Sequence, residues 1–258
     1  MATQIHLHAE PGAYAPVVLI PGDPNRATRM AARLDGGLEG TTLVNQNRGL
    51  LGYTGTLDGV PISIQTTMMG TPTTSIVVEE LLNLGCTTFI RVGTTGGYPG
   101  TALGDVVVAM AAAAHTGIGA ILGGGEATAP TADYEVVNAL VAAAREAGLT
   151  THVGPIVTSD VFYDPHPFAG RWGARGYLSA EMESAAVFLL AMRERAKGRP
   201  VRAGTILTVS DVILAPGDAA SEAPSAIGWE RLPEDELQAR IDRTIGAALA
   251  AGVALARG

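Results

Sequence analysis

The stretch TTFIRVGTTGG, residues 87–97, sets a short apolar run directly against a charged residue and a string of small ones. Phe89, Ile90 and Val92 read as a strand buried on both faces, and the glycines from Gly93 onward read as its end. Arg91 lies inside that run. A cation buried there without a partner costs several kcal/mol, so an ion pair or a bound oxyanion must meet it.

Outward from this strand, the same alternation of strand and helix repeats. Residues 17–20 (VVLI) predict a buried strand closed by Pro21-Gly22-Asp23-Pro24, and 25–34 follow with apolar positions at helical spacing. The segments GYTGTL (52–57) and VPISIQTT (60–67) flank Asp58-Gly59, a strong hairpin signal. Helices are predicted over 73–84, 134–147, 183–196 and 234–255, and strands over 156–159 and 203–209. Residues 106–125 carry no formal charge, but their strongly apolar part, VVVAM, is too short for a membrane span and predicts a strand leading into a turn. This is an α/β pattern, a mainly parallel or mixed sheet covered by helices. No repeat or linker divides the 258 residues, and the Gly, Pro and Ala-rich stretches 123–130 and 216–224 are short enough to be loops. The expectation is one domain over residues 1–258.

Composition narrows the function. The chain is 47% hydrophobic and only 16% charged, where about 25% is usual, which excludes disorder. Its 33 glycines imply many positions of positive φ or close approach. A net charge of −8 argues against a nucleic-acid partner. Cys86 is the single cysteine, so no internal disulfide forms, and the first residues lack the pattern of a signal peptide. A cytoplasmic location is expected. Lys197 is the one lysine, and no GxxxxGK[ST] sequence is present, which removes P-loop NTPases. There is no G-x-S-x-G elbow and no HExxH pair, and no metal site is predicted. Gly117, Gly119 and Gly123 imitate a dinucleotide loop, but the residues after them are poor helix formers.

Three further segments carry groups suited to chemistry. PGDPNR (21–26) puts Arg26 just inside a helix that follows a strand, beside which Arg91 and its glycines make a second anion-binding element. AEMESAA (180–186) brings two carboxylates to a helix start, where they cap the helix or grip hydroxyl groups. ILTVSD (206–211) ends an apolar strand in Ser210-Asp211, at the edge where α/β sheets bind ligands.

Taken together and in order, VLIPGDP (18–24) with Arg26, Asn47-Arg48-Gly49 before GYTG (52–55), RVGTTG (91–96), Glu181-Met182-Glu183 and Val209-Ser210-Asp211 resemble the nucleoside phosphorylase family. Within it the likeness is to the hexameric bacterial purine enzymes, along nearly the whole chain. The resemblance implies an α/β fold with a mixed, partly barrel-like central sheet flanked by helices. It implies reversible phosphorolysis of purine ribo- or deoxyribonucleosides to the free base and a pentose 1-phosphate, with inorganic phosphate as co-substrate and no cofactor. The implied phosphate site is Gly22, Arg26, Arg91, Gly93 and Thr94, with Arg48 reaching in from a neighbouring subunit. Met182 and Glu183 would hold the ribose, with His6 from across the same interface of a homohexamer built as a trimer of dimers. Phe162, Glu181, Ser210 and Asp211 would face the base, and Asp211 would be the proton donor.

The chemistry fits those residue types. Phosphorolysis needs a positioned dianionic nucleophile, a held ribose and a neutralised leaving base; arginine forks and glycine N–H groups supply the first as preorganised donors. Proton donation to purine N7 improves the leaving group, so Asp211 must carry a proton when it acts. Two departures stand out: Met68 replaces a more usual glycine, and AASEAPSAIG (219–228) lacks the arginine that many purine enzymes place there, leaving Arg231 as the next candidate. Thr94-Thr95 and THVG (151–154) resemble uridine phosphorylases, the alternative reading. FYDPHPFAGRWG (162–173) contains no glutamine for uracil, however, and Asp211 favours a purine. A non-catalytic nucleoside-binding protein is the remaining reading, and it would tolerate loss of Asp211.

Overall fold

The structure is a computed structural model that describes residues 4–163, 169–213 and 229–258. Its elements run β1 (Val17–Pro21), α1 (Pro24–Ala31), β2 (Thr42–Asn45), β3 (Gly52–Leu57), β4 (Val60–Gln65), α2 (Thr71–Asn83), β5 (Thr88–Gly97) and β6 (Val106–His115). There follow α3 (Gly117–Leu122), α4 (Tyr134–Glu146), β7 (Thr151–Ser159), α5 (Ala169–Gly173), β8 (Ser179–Glu181), α6 (Ser184–Ala196), β9 (Arg202–Ile213), β10 (Trp229–Arg231) and α7 (Glu234–Arg257). The alternation predicted from sequence is present throughout. At Asp58-Gly59 both residues have positive φ, 51° and 72°, the geometry of the tight turn that joins β3 to β4.

The sheet closes on itself. β5 pairs in parallel with β9, β9 antiparallel with β6, β6 parallel with β7, β7 parallel with β8, and β8 antiparallel with β5. These five strands form a mixed barrel, and β1, β4, β3 and β2 continue outward from β5 as an open sheet. Successive residues of β1 serve different cores: Leu19 joins Ile62, Ile90 and α7's Ile245, while Val18 and Ile20 join Phe89, α2's Leu81 and α6's Phe188. Burial on both faces is why these strands read as continuous apolar runs.

Two sequence expectations need correction. The strand predicted to stop at Gly93 continues to Gly97, because β9, itself running on from Val209 to Ile213, pairs with it as far as Gly97↔Val212. Gly96 serves there as space: a Cβ on it would lie 2.9 Å from both Asp211 Oδ2 and Ile213 Cδ1. The strand predicted from VVVAM to lead into a turn instead runs on as β6 to His115 and is followed by the short helix α3, capped by Thr116, whose hydroxyl accepts from Gly119 N at 2.9 Å. Among the described residues no helix is long and apolar enough to cross a membrane. The loop predicted over 216–224 lies outside the described residues.

Along one edge, β5 changes partners. β1 pairs with it up to Pro21↔Val92, and β8 begins only at Gly96↔Ala180. Residues 93–95 fall between these neighbours, and the opening left there is a topological switch point, where α/β sheets bind ligands.

Candidate active site

A cavity of about 520 Å³ opens at that split. It is bordered by Gly22 and Arg26 from the turn after β1 and the start of α1, and by Arg91, Gly93 and Thr94 from the middle of β5. Glu181, Met182 and Glu183 from the β8–α6 junction, and Ser210 and Asp211 from β9, complete its polar part. Four segments far apart in sequence thus meet in one place.

The β1–α1 turn is built by its own residues. Asp23 caps α1, its carboxylate accepting from Asn25 N at 2.9 Å, and Pro24 starts the helix with φ already suited to it. Gly22 is pressed against the chain ahead of α2, where a Cβ would lie 2.9 Å from the Met68 carbonyl oxygen. Arg26 follows in the first turn of α1 and is 9% exposed. Its Nη1 donates to Val92 O at 3.2 Å, whereas its buried Nε has no hydrogen-bond partner. Burial, reinforced by the nearby Arg91 and Arg29, pushes its pKa down to about 10 against the opposing pull of Asp23. Arg26 makes no ion pair among the described residues.

Arg91, 4% exposed, is the opposite case. Its Nε donates to Glu181 Oε2 at 2.8 Å and its Nη2 pairs with Glu183 Oε2 at 2.5 Å. Burial works against its charge, but Glu183 and Glu181 together raise its pKa above the ordinary arginine value. Burial likewise raises the Glu183 pKa, with Arg91 opposing. Glu183 Oε1 also accepts from Gly70 N at 2.6 Å, at the head of α2.

Glu181, predicted from the resemblance to face the base, borders the cavity but spends its oxygens inside the protein. They accept from Arg91 Nε, from Glu183 N at 3.0 Å, from Ser184 N and Oγ at 2.9 Å, and from the Thr158 hydroxyl. The capping reading of the acidic pair therefore applies to Glu181, which closes the N-terminus of α6. Across the cavity, Ser210 Oγ donates to Asp211 Oδ1 at 2.7 Å. The Thr94 hydroxyl has no partner among the described residues, while Thr95 is engaged with Ala180 O at 2.7 Å.

His6 and Arg48 do not border this cavity. His6 Nδ1 meets Glu80 Oε1 at 2.8 Å, and Arg48 is exposed with φ of 55°. The two lie on one surface, since Asn47 Nδ2 donates to His6 O at 3.0 Å. Phe162 is 48% exposed, borders the cavity and meets Tyr163 edge to face at 5.0 Å. Arg231 stands opposite Asp211 in the β10–β9 ladder, but its side chain reaches Glu234 Oε2 at 3.5 Å. Residues 219–228 lie outside the described residues.

The cavity also has an apolar part that no sequence motif announces. Tyr98, Val157, Trp172 and Ile213 line it. Trp172 packs edge to face on Tyr177 at 4.7 Å, and α5 rests on Tyr98, where a Cβ on Gly173 would lie 3.3 Å from Tyr98 Cβ. Met68, flagged as a departure from the family pattern, borders the cavity with φ of 58°, a backbone conformation that favours glycine.

Residues 16–245 match the phosphorylase superfamily. A DeoD-type purine nucleoside phosphorylase of Geobacillus kaustophilus (strain HTA426) is 39% identical over 239 residues, which is 92% of this chain and 98% of the relative. Another of that name from Exiguobacterium sp. (strain ATCC BAA-1283 / AT1b) is 40% identical over 84% of this chain and 90% of its own. A third, from Roseobacter denitrificans (strain ATCC 33942 / OCh 114), is 43% identical over 80% of this chain and 86% of its own.

Proposed function

Because this chain belongs to the phosphorylase superfamily, we propose that it catalyses the reversible phosphorolysis of purine nucleosides, with inorganic phosphate as the attacking nucleophile. The observation that carries the reading is Arg26: a buried guanidinium with no ion pair among the described residues, beside Gly22 and bordering a cavity whose other wall holds Asp211. A phosphate in the cavity would supply the counter-charge that this buried cation lacks.

In this reading Arg26, the Gly22 turn and the Thr94 hydroxyl hold the phosphate. Arg91, locked between Glu181 and Glu183, sets the angle at which Glu183 meets the ribose hydroxyls, with Met182 against the sugar. Glu181 is a positioning residue that fixes Arg91 and the start of α6. Asp211 gives its proton to N7 as the glycosidic bond breaks, the Ser210 hydroxyl holding its other oxygen, and such general acid catalysis contributes about 10²- to 10⁴-fold.

One subunit supplies little free positive charge for a dianion, since Arg91 is balanced by two glutamates. An exposed Arg48 and a nearby His6 on a surface away from their own cavity suit donation to a neighbouring subunit in a homohexamer. The decisive assay measures inosine, guanosine, adenosine and uridine cleavage with and without phosphate. Phosphate-dependent release of purine bases is expected; release without phosphate, or from uridine alone, would overturn the reading. In the same assay Asp211→Asn lowers inosine cleavage by about 10²-fold or more. It spares 7-methylguanosine, whose base already carries the positive charge that the proton would supply.

A further inference from the structure

At the end of β5 the cavity meets a polar group that neither the fold nor the mechanism above employs. Tyr98 is 2% exposed and borders the cavity. Its hydroxyl makes no hydrogen bond among the described residues, whereas the core tyrosine Tyr14 gives its hydroxyl to Gln65 Oε1 at 2.5 Å and that of Tyr53 meets Thr28 Oγ1 at 2.9 Å. Nor is the Tyr98 oxygen sealed away: among the described residues the buried side-chain polar atoms shut off without a partner are Arg26 Nε, Thr74 Oγ1, Ser179 Oγ and Thr205 Oγ1. A buried tyrosine normally finds a partner for its hydroxyl. This one is left opening on the cavity.

Its position along β5 says what it would meet. Arg91, Gly93 and Thr94 border the end of the cavity that holds Arg26, and Gly96 lies against Asp211 Oδ2. Tyr98 is two residues farther on, about 7 Å at the rise of an extended chain. It therefore lies beyond the acid, on the side away from the arginines. A base whose N7 is at Asp211 turns its six-membered ring toward that end, where Trp172 and Ile213 supply apolar walls.

We infer that Tyr98 is a specificity-determining residue, whose hydroxyl hydrogen-bonds a polar group on the six-membered ring of the purine. A phenol both donates and accepts, so it serves a carbonyl or an amino group equally. Burial raises the Tyr98 pKa and keeps the phenol neutral, with its proton available to donate. The backbone around it is independently anchored, with Tyr98 N donating to Leu178 O at 2.9 Å, so the hydroxyl is not needed to hold the loop.

The inference rests on the purine reading and is tested apart from it. Wild-type protein and Tyr98→Phe are compared for kcat/KM on guanosine, inosine and unsubstituted purine riboside, at saturating phosphate. Phosphate-dependent cleavage of inosine by the wild type tests the reading; its absence removes the reading and this inference together. Given that activity, the Phe variant is expected to shrink either the inosine to purine riboside ratio or the guanosine to inosine ratio by about fivefold, the worth of one neutral hydrogen bond. The KM for phosphate stays at the wild-type value. If both ratios are unchanged in the variant, whatever its overall activity, Tyr98 does not read the base.

Discussion

Arg91 and Arg26 border the same cavity, are almost equally buried, and are opposites in every other respect. Arg91 is held by two carboxylates and is more firmly charged than a free arginine; Arg26 has one backbone carbonyl, an orphan Nε and a lowered pKa. One is part of the protein's own framework, and the other is the one we propose to meet phosphate. The difference shows that burial alone does not mark a binding residue; Arg26 stands apart as a buried cation at the cavity with no counter-charge among the described residues.

The contrast breaks most visibly on substitution. Arg91→Met leaves Glu181 and Glu183 buried without their counter-charge and is expected to lower stability by about 3–5 kcal/mol, read as a fall in the urea midpoint. Arg26→Met removes an uncompensated buried cation, so stability without phosphate should stay level or rise. The same variant should lose the protection that phosphate gives the wild type, about 2.7 kcal/mol at a hundred times Kd, measured as a thermal shift. Equal destabilisation by both substitutions would erase the distinction.

A third buried charge sharpens it. Glu194, at the far end of α6 from Glu183, resembles Arg91 in being fully countered, by Lys197, Arg193 and Arg199 at 2.7–2.8 Å. The hydrogen bond from Lys197, then that from Arg193, hold its pKa at about 2 despite burial. Because the folded value lies below the ordinary 4.5, its stabilisation is complete above about pH 4.5 and fades as the pH falls toward 2. Glu194→Gln should flatten that limb of a stability–pH curve while leaving phosphate protection intact. The smallest effect is at Met68, whose φ of 58° carries strain. Met68→Gly should gain about 1 kcal/mol or less, and a loss instead would mean that the side chain's place at the cavity outweighs the strain.

Much of this was legible in the residues. Arg91 inside TTFI demanded a partner, and of the two classes foreseen for it the ion pair is present, to Glu181 and Glu183, while the oxyanion is what we propose for Arg26. The acidic pair at 181 and 183 likewise splits, Glu181 into capping and Glu183 into the cavity. What stayed hidden was the apolar end. Tyr98 and Trp172 carry no motif, and an aromatic residue at a strand end or in a short helix reads as core until its neighbours are known.

The sequence by itself determined the alternation of buried strands and amphipathic helices, the hairpin at Asp58-Gly59 and the polar groups that chemistry would need, because periodicity, turn conformation and the cost of a buried charge are local properties. Only the tertiary structure decided that β5 runs on through its glycines, changes partner from β1 to β8 between residues 92 and 96, and so leaves a gap. Closure of the barrel is a property of pairings between distant strands. That same closure carries Asp211 to Gly96 and leaves the hydroxyl of Tyr98 facing the cavity.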